Sequence, residues 1–367
     1  MRNGSSDGKR ALVLAGGGIP GWMYEIGCLV ALDDFFEGFS TLNFDIYVGT
    51  SAGAAVAALL ANCARPRTIF RDIIEDQTSF FNFQRKDIYS FGYQETFRLI
   101  KKAFRSILPI FRHYFKNRDK MSILDLLYLF QGNLPSGFFT LQNFDRYLAR
   151  AFEMEGFTND FRKLSRELYI PAVDLDSGRY DVFGEPGFDD VAISTAVTAS
   201  SAMPIVFQPV TIKGRDYIDG GVGRVAYMDI AMNHGANLIV VINPVQYLLN
   251  RRDSAEVPPF LEGPGLKEKG LSFIFEQAMR ISTSTRLYMA LRRYRAENQD
   301  RDLLLIQPRP SETFMFMQNV IGFKARLDVL RYGYNSTARL LGEEFEYYRN
   351  LFGKHQIAVS LDRLKPI

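Results

Sequence analysis

Short apolar runs alternate with glycines and then with stretches of helical spacing along the first sixty residues. Ala11-Leu12-Val13-Leu14-Ala15 carries no polar side chain and ends on Gly16-Gly17-Gly18, the pattern of a buried parallel strand running into a tight turn. Behind it Trp22, Ile26, Leu29, Val30 and Leu32 recur at helical spacing up to Gly38, predicting a helix that begins near Gly21. The pattern repeats at once. Phe44 to Val48 reads as a strand, Gly49-Thr50-Ser51-Ala52-Gly53 as a turn, and the alanine-rich Ala52 to Ala64 as the next helix.

Further along, Leu168 to Val173 predicts a strand, Asp174 to Gly178 a turn, and Tyr180 to Phe183 the strand that pairs back. A helix over Val191 to Ser200 stops ahead of Pro204, because the residue before proline resists the helical region. Val210 to Ile212 and Tyr217 to Ile218 flank a Lys213-Gly214 turn and leave Asp219-Gly220-Gly221 at a strand end. Leu238 to Ile242 and Leu303 to Ile306 are further strands, Leu271 to Asn298 a long helix, and Phe323 to Leu351 two helices broken near Asn335. The alternation predicts one α/β domain over residues 9–310. It carries a helical insert at about 80–139, where aromatic and basic residues take over, and a Pro/Gly-rich charged loop at about 250–270. Residues 311–367 form a helical extension packed on that domain.

Composition narrows the classes. With 47% apolar and 23% charged residues the 367-residue chain is neither wholesale disordered nor a polytopic membrane protein. A net charge of +3 gives no case for nucleic acid, and no nucleic-acid recognition motif is present. Cys28 and Cys63 both fall in predicted helices of small and apolar residues, which reads as buried reduced thiols. The polar start and the short apolar run after it do not make a signal peptide, and Ala52 to Ala64 falls short of the ~20 apolar residues that span a bilayer. The expected setting is cytoplasmic, with reversible membrane contact.

Candidate chemistry centres on Ser51. A G-x-S-x-G match between a strand and a helix exposes a serine hydroxyl on a strained turn, for which Gly49 and Gly53 supply the small neighbours. Such a hydroxyl needs a proton acceptor. Asp219 stands at a strand end, where Gly220 and Gly221 leave its carboxylate unobstructed, and partial burial would raise its pKa toward that of a useful base. Among the histidines, His113 lies in the basic insert, His234 suits a last helical turn, and His355 could complete a Ser-Asp-His order. The loop Gly16-Gly17-Gly18-Ile19-Pro20-Gly21 also has two readings: a dinucleotide fingerprint, G-x-G-x-x-G, or a row of backbone donors for a developing oxyanion. No compact Cys/His set suggests a metal, and the chemistry calls for no cofactor.

The ordered set GGGIPG (16–21), GTSAG (49–53), ASSAMP (199–204) and DGG (219–221), with VDLDSG (173–178), resembles the patatin-like phospholipase family from about Ala11 to Pro244. The resemblance implies a three-layer α/β fold with a mostly parallel sheet flanked by helices. It implies a lipid acyl hydrolase in which Ser51 and Asp219 form a catalytic dyad and Gly16, Gly17 and Gly18 an oxyanion hole, with Ser200 to Pro204 shaping the pocket. The substrate it implies is a phospholipid or another acyl lipid. Pro20 departs from the family's pattern, which carries Arg or Lys just before the last glycine of this loop. In the insert, Phe97, Ile100, Phe104, Ile107, Leu108, Phe111 and Phe115 interleave with Arg98, Lys101, Lys102 and Arg105. From Arg85 to Lys120 ten Lys or Arg face three Asp or Glu, which suits a segment lying at a lipid surface.

Overall fold

The computed structural model describes residues 8–91, 109, 111–117, 122, 135–249, 265–319 and 321–367. Arg98, Lys101, Lys102 and Arg105 of the proposed membrane face lie outside the described residues, as does most of the 250–270 loop. Strands in chain order are β1 (Lys9–Leu14), β2 (Phe36–Glu37), β3 (Ile46–Gly49), β4 (Ser90–Phe91), β5 (Gly137–Thr140), β6 (Glu167–Asp174), β7 (Tyr180–Phe183), β8 (Ile205–Phe207), β9 (Val210–Ile212), β10 (Arg215–Ile218), β11 (Ala236–Ile242), β12 (Asp302–Ile306) and β13 (Ala358–Val359). The main sheet runs β12-β11-β1-β3-β6-β10-β9, with β7 also paired to β6. From β12 to β6 all neighbours are parallel. The pairs of β6 with β7, β6 with β10, and β10 with β9 are antiparallel.

Side-chain alternation places a core on each face of this sheet. Leu12, Leu14, Tyr47, Leu168, Ile170 and Val240 point into one cluster with helices α1 (Gly18–Phe35) and α2 (Ala52–Ala61). Their neighbours Ala11, Val13, Ile46, Val48, Tyr169 and Val241 point into another, with Leu287, Leu291 and Tyr294 of helix Leu271–Glu297. The result is a mixed α/β architecture of three layers around a mostly parallel sheet. Two smaller sheets, β13-β2 and β4-β5-β8, complete the strands.

Helix α1 is buried on nearly every side, and helix Arg326–Glu343 crosses it at two glycines. A Cβ on Gly27 would strike the backbone of Leu330 and Tyr334, and one on Gly333 would strike the Tyr24 carbonyl. The predicted break near Asn335 is displaced to Glu344, between helices Arg326–Glu343 and Phe345–Lys354. Asn335 stays helical, and its side-chain amide meets the backbone of Ile367, donating to its oxygen at 2.8 Å and accepting from its N–H at 3.0 Å. Helix α1 starts at Gly18 rather than Gly21, which puts Pro20 in the first turn, where no amide hydrogen is required. Cys63 corrects another expectation. Helix α2 ends at Ala61, so Cys63 falls in the turn beyond it with φ +62° and is exposed, whereas Cys28 is buried.

Candidate active site

Two strands running in opposite directions meet beside the middle of β6. β3 runs parallel to it along Glu167–Tyr169 and ends at Gly49, while β10 runs antiparallel along Val173 and Asp174 and ends at Ile218. Ser51 follows the first strand and Asp219 the second, so residues far apart in sequence arrive at the same height. Ser51 Oγ donates to Asp219 Oδ2 at 2.6 Å, and both residues are buried, with 8% and 6% of their surface exposed.

The backbone at Ser51 has φ +54° and ψ −125°, a conformation that side-chain-bearing residues rarely adopt. Close packing holds it there. A Cβ on Gly49 would enter the backbone of Gly53 and Ala54, and one on Gly53 would lie 2.5 Å from the Leu14 carbonyl oxygen. Both glycines are therefore needed for α2 to sit directly on β1 and β3. Ser200, fully buried at the end of helix Ile193–Ser200, adds a clamp: its Oγ accepts from the Ser51 N–H at 3.0 Å and donates to the Pro171 carbonyl at 2.7 Å.

Asp219 is fixed as firmly. Its N–H donates to the Ala202 carbonyl at 3.0 Å, and its Oδ1 accepts from the Gly221 N–H at 2.7 Å. Tyr227 donates to the Gly220 carbonyl at 2.7 Å, and a Cβ on Gly220 would lie 2.5 Å from the Pro171 carbonyl oxygen. Burial raises the Asp219 carboxyl to about 6, against the pull of the Ser51 hydroxyl and the Gly221 amide, which favour the charged form. A carboxylate poised near neutrality on a serine hydroxyl can take up a proton and return it.

The glycine loop lies against this pair. A Cβ on Gly16 would come within 2.7 Å of Ser51 Cβ, Gly17 caps α1, and Gly18 has φ +63°. Gly18, Ile19, Ser51 and Ala52 line a narrow cleft of about 60 Å³ whose remaining walls are mainly apolar: Trp22, Ile88, Tyr89, Leu141, Phe144, Met203, Phe207 and Ile321, with Ser201. The first turns of α1 and α2 thus open on the cleft, and in α2 the Gly53 and Ala54 amides already donate to the Thr50 and Ser51 carbonyls, each at 2.9 Å. The dinucleotide reading loses its acidic residue here, since Asp45 accepts from the Arg10 N–H at 2.8 Å.

The histidines are engaged elsewhere. His355 Nε2 lies 2.9 Å from Asp302 Oδ2, and Asp302 opens β12 at the sheet edge opposite Ser51. His234 Nδ1 lies 2.9 Å from the Tyr169 hydroxyl, with the two rings stacked. His113 belongs to the short helical stretch at residues 111–116.

The model of the patatin-like phospholipase family matches residues 12–232, which contain Ser51, Asp219, the glycine loop and every cleft wall but Ile321. The chain belongs to the patatin-like phospholipase family. Among individual proteins, probable lipid hydrolase 463L of Invertebrate iridescent virus 6 is 23% identical over 231 residues, covering 61% of this chain and 64% of that protein. The chain thus spans less than two thirds of that relative's length. VipD from Legionella pneumophila matches in structure with a TM-score of 0.38 and 16% identity, over 91% of this chain and 67% of that one. Membership in the patatin-like phospholipase family carries lipid hydrolysis at family level. Sequence reading had grouped Ser200 with the pocket but not with Ser51. The clamp and the Tyr227 prop depend on contacts across 149 and 7 residues, respectively, and no local spacing announces them.

Proposed function

We propose that this protein is a phospholipase A-type lipid acyl hydrolase working through a Ser51-Asp219 dyad. The observation that carries the reading is the 2.6 Å hydrogen bond from Ser51 Oγ, which lines an apolar cleft, to the buried Asp219 carboxylate. Ser51 Oγ attacks the ester carbonyl while Asp219 takes its proton, then hands that proton to the departing alcohol. Water, deprotonated by the same carboxylate, releases the fatty acid and restores Ser51. Backbone amides of the Gly16 to Gly18 loop and the opening turn of α1 receive the oxyanion, a contribution on the order of a few kcal/mol. The cleft walls of Trp22, Phe144, Met203 and Phe207 suit an acyl chain. Attachment to the membrane is peripheral and reversible in this reading. Among the described residues no helix is long and apolar enough to cross a bilayer.

Fluorophosphonate labelling, run beside release of fatty acid from phospholipid, tests it. Wild type should label and turn over, Ser51→Ala should do neither, and Asp219→Asn should lose turnover. A folded wild type that neither labels nor hydrolyses any ester would overturn the proposal.

A further inference from the structure

Helix Leu271–Glu297 is inside out over its first half. Its inward ridge recurs at helical spacing as Arg280, Ser284, Leu287, Leu291 and Tyr294, all buried. On the opposite face Leu271, Ile274, Phe275, Met279, Ile281 and Met289 are exposed, Leu271 by 82%, Phe275 by 56% and Met289 by 68%. An amphipathic helix in water shows the reverse arrangement, and an exposed face this rich in large apolar side chains, interrupted by the exposed Ser282 and Thr285, marks an interaction site.

Contacts place this face at the catalytic edge. Leu287, Leu291 and Tyr294 pack on the sheet, while the residues before them reach progressively past its carboxyl end. Ser284 Oγ donates to the Gln246 side chain at 2.7 Å, Arg280 Nη1 to the Gln246 carbonyl at 3.2 Å, and Gln277 Nε2 to the Leu248 carbonyl at 2.7 Å. Gln246 and Leu248 lie beyond the last residue of β11, Ile242, at the edge where β3 delivers Ser51. Midway, Arg286 Nη1 donates to the carbonyls of Val222 at 3.0 Å and Gly223 at 3.2 Å, tying the helix to the turn that follows Asp219. Val222 and Leu249 add exposed apolar surface at this edge.

Charge selects the occupant. Arg280 and Arg286 are engaged within the chain, but the exposed face that carries Leu271, Phe275 and Met289, with Ser282 and Thr285 between them, continues as Arg292 and as Arg293, the latter paired with Glu297. Apolar side chains followed on one face by arginines match acyl chains overlain by phosphate headgroups. We infer that the overhanging half of this helix is the surface by which the protein docks on an anionic phospholipid bilayer, presenting the Ser51 cleft to it. This rests on the proposed lipid acyl hydrolase and assigns it a membrane-facing side.

The test uses the full chain and vesicles of equal parts phosphatidylcholine and phosphatidylglycerol. Phe275→Glu combined with Met279→Glu alters exposed positions only, and in a second variant Arg292→Glu removes the cation. The double variant should lower the fraction sedimenting with vesicles about tenfold, and Arg292→Glu should weaken sedimentation most at low salt. Both should hydrolyse a soluble short-chain ester at the wild-type rate. Undiminished sedimentation of the double variant would overturn the docking face, as would a wild type that ignores vesicles. A wild-type dimer that these substitutions split, without effect on vesicle binding, would reassign the face to a second copy of this chain. Loss of ester hydrolysis in wild type strikes the proposed reaction instead, because sedimentation is read independently.

Discussion

Asp219→Asn should cut turnover severely and at the same time make the protein more stable at neutral and alkaline pH. Burial raises this carboxyl from 3.8 to about 6, so ionised Asp219 is held in the fold against its solvation. Two units at 1.36 kcal/mol each amount to about 3 kcal/mol of destabilisation once the group is charged. The sign follows from linkage. The folded pKa lies above the unfolded one, so between about pH 4 and pH 6 the folded state holds a proton that the unfolded chain has released. That stabilisation is complete at the acid end of the window and is lost as pH rises through 6. Asparagine keeps the acceptor for the Gly221 N–H but carries no charge, and its stability lacks this pH dependence. With an unfolding entropy of about 2.1 cal/mol/K per residue, 3 kcal/mol is about 4 °C in Tm for a chain of this size. Thermal melts from pH 4 to 8 should show the variant pulling ahead of wild type across pH 4 to 7, reaching about that gap. Wild-type kcat/KM on a soluble ester should rise through an inflection near pH 6, and the variant should lose about 10²–10⁴-fold in rate. A gap between the two melting curves that does not change with pH would refute the buried-carboxylate argument.

Three further outcomes follow from the same geometry. At φ +54° Ser51 stores backbone strain that glycine would not, so Ser51→Gly should be more stable to urea than Ser51→Ala by about 1–3 kcal/mol; equal midpoints would remove the strained turn. Ser200→Ala strips the acceptor from the Ser51 N–H and should lower kcat with little change in KM, at a cost of about 1–3 kcal/mol in stability for the buried amide. Restored kcat in Ser200→Thr would support positioning through the hydroxyl, and unchanged kcat in Ser200→Ala would refute it. Gly16→Ala places a methyl 2.7 Å from Ser51 Cβ and should suppress fluorophosphonate labelling while leaving far-ultraviolet circular dichroism intact; full labelling would show that the loop yields.

What could be read from the chain was whatever depends on neighbours in sequence. β1 and β11 are near-continuous apolar runs because a parallel strand covered on both faces has no side to leave polar, and the glycines after β1 and β3 mark where backbones must touch. Lys213 and Gly214, with φ +50° and +78°, form the tight turn their sequence predicts. Ser51 and Asp219 were legible as candidates from their motifs and from the resemblance, but their meeting was not, since it arises from β10 descending along β6 to meet β3. That is a matter of register, which no local pattern encodes. The long helix makes the same point from the other side. Its extent could be read to within a residue or two, but hydrophobicity misassigns its inner face over the first half, where Arg280 and Ser284 are drawn inward by the backbone and side chain of Gln246. Phe275 and Met279 are left outside because that half of the helix lies beyond the sheet, and only its inward side, through Phe273 and Arg280, meets the small Leu248–Phe316 cluster. Apolar residues left exposed in such a place call for a covering from outside the chain, and a lipid surface at the edge where Ser51 meets Asp219 is the covering that the proposed docking face supplies.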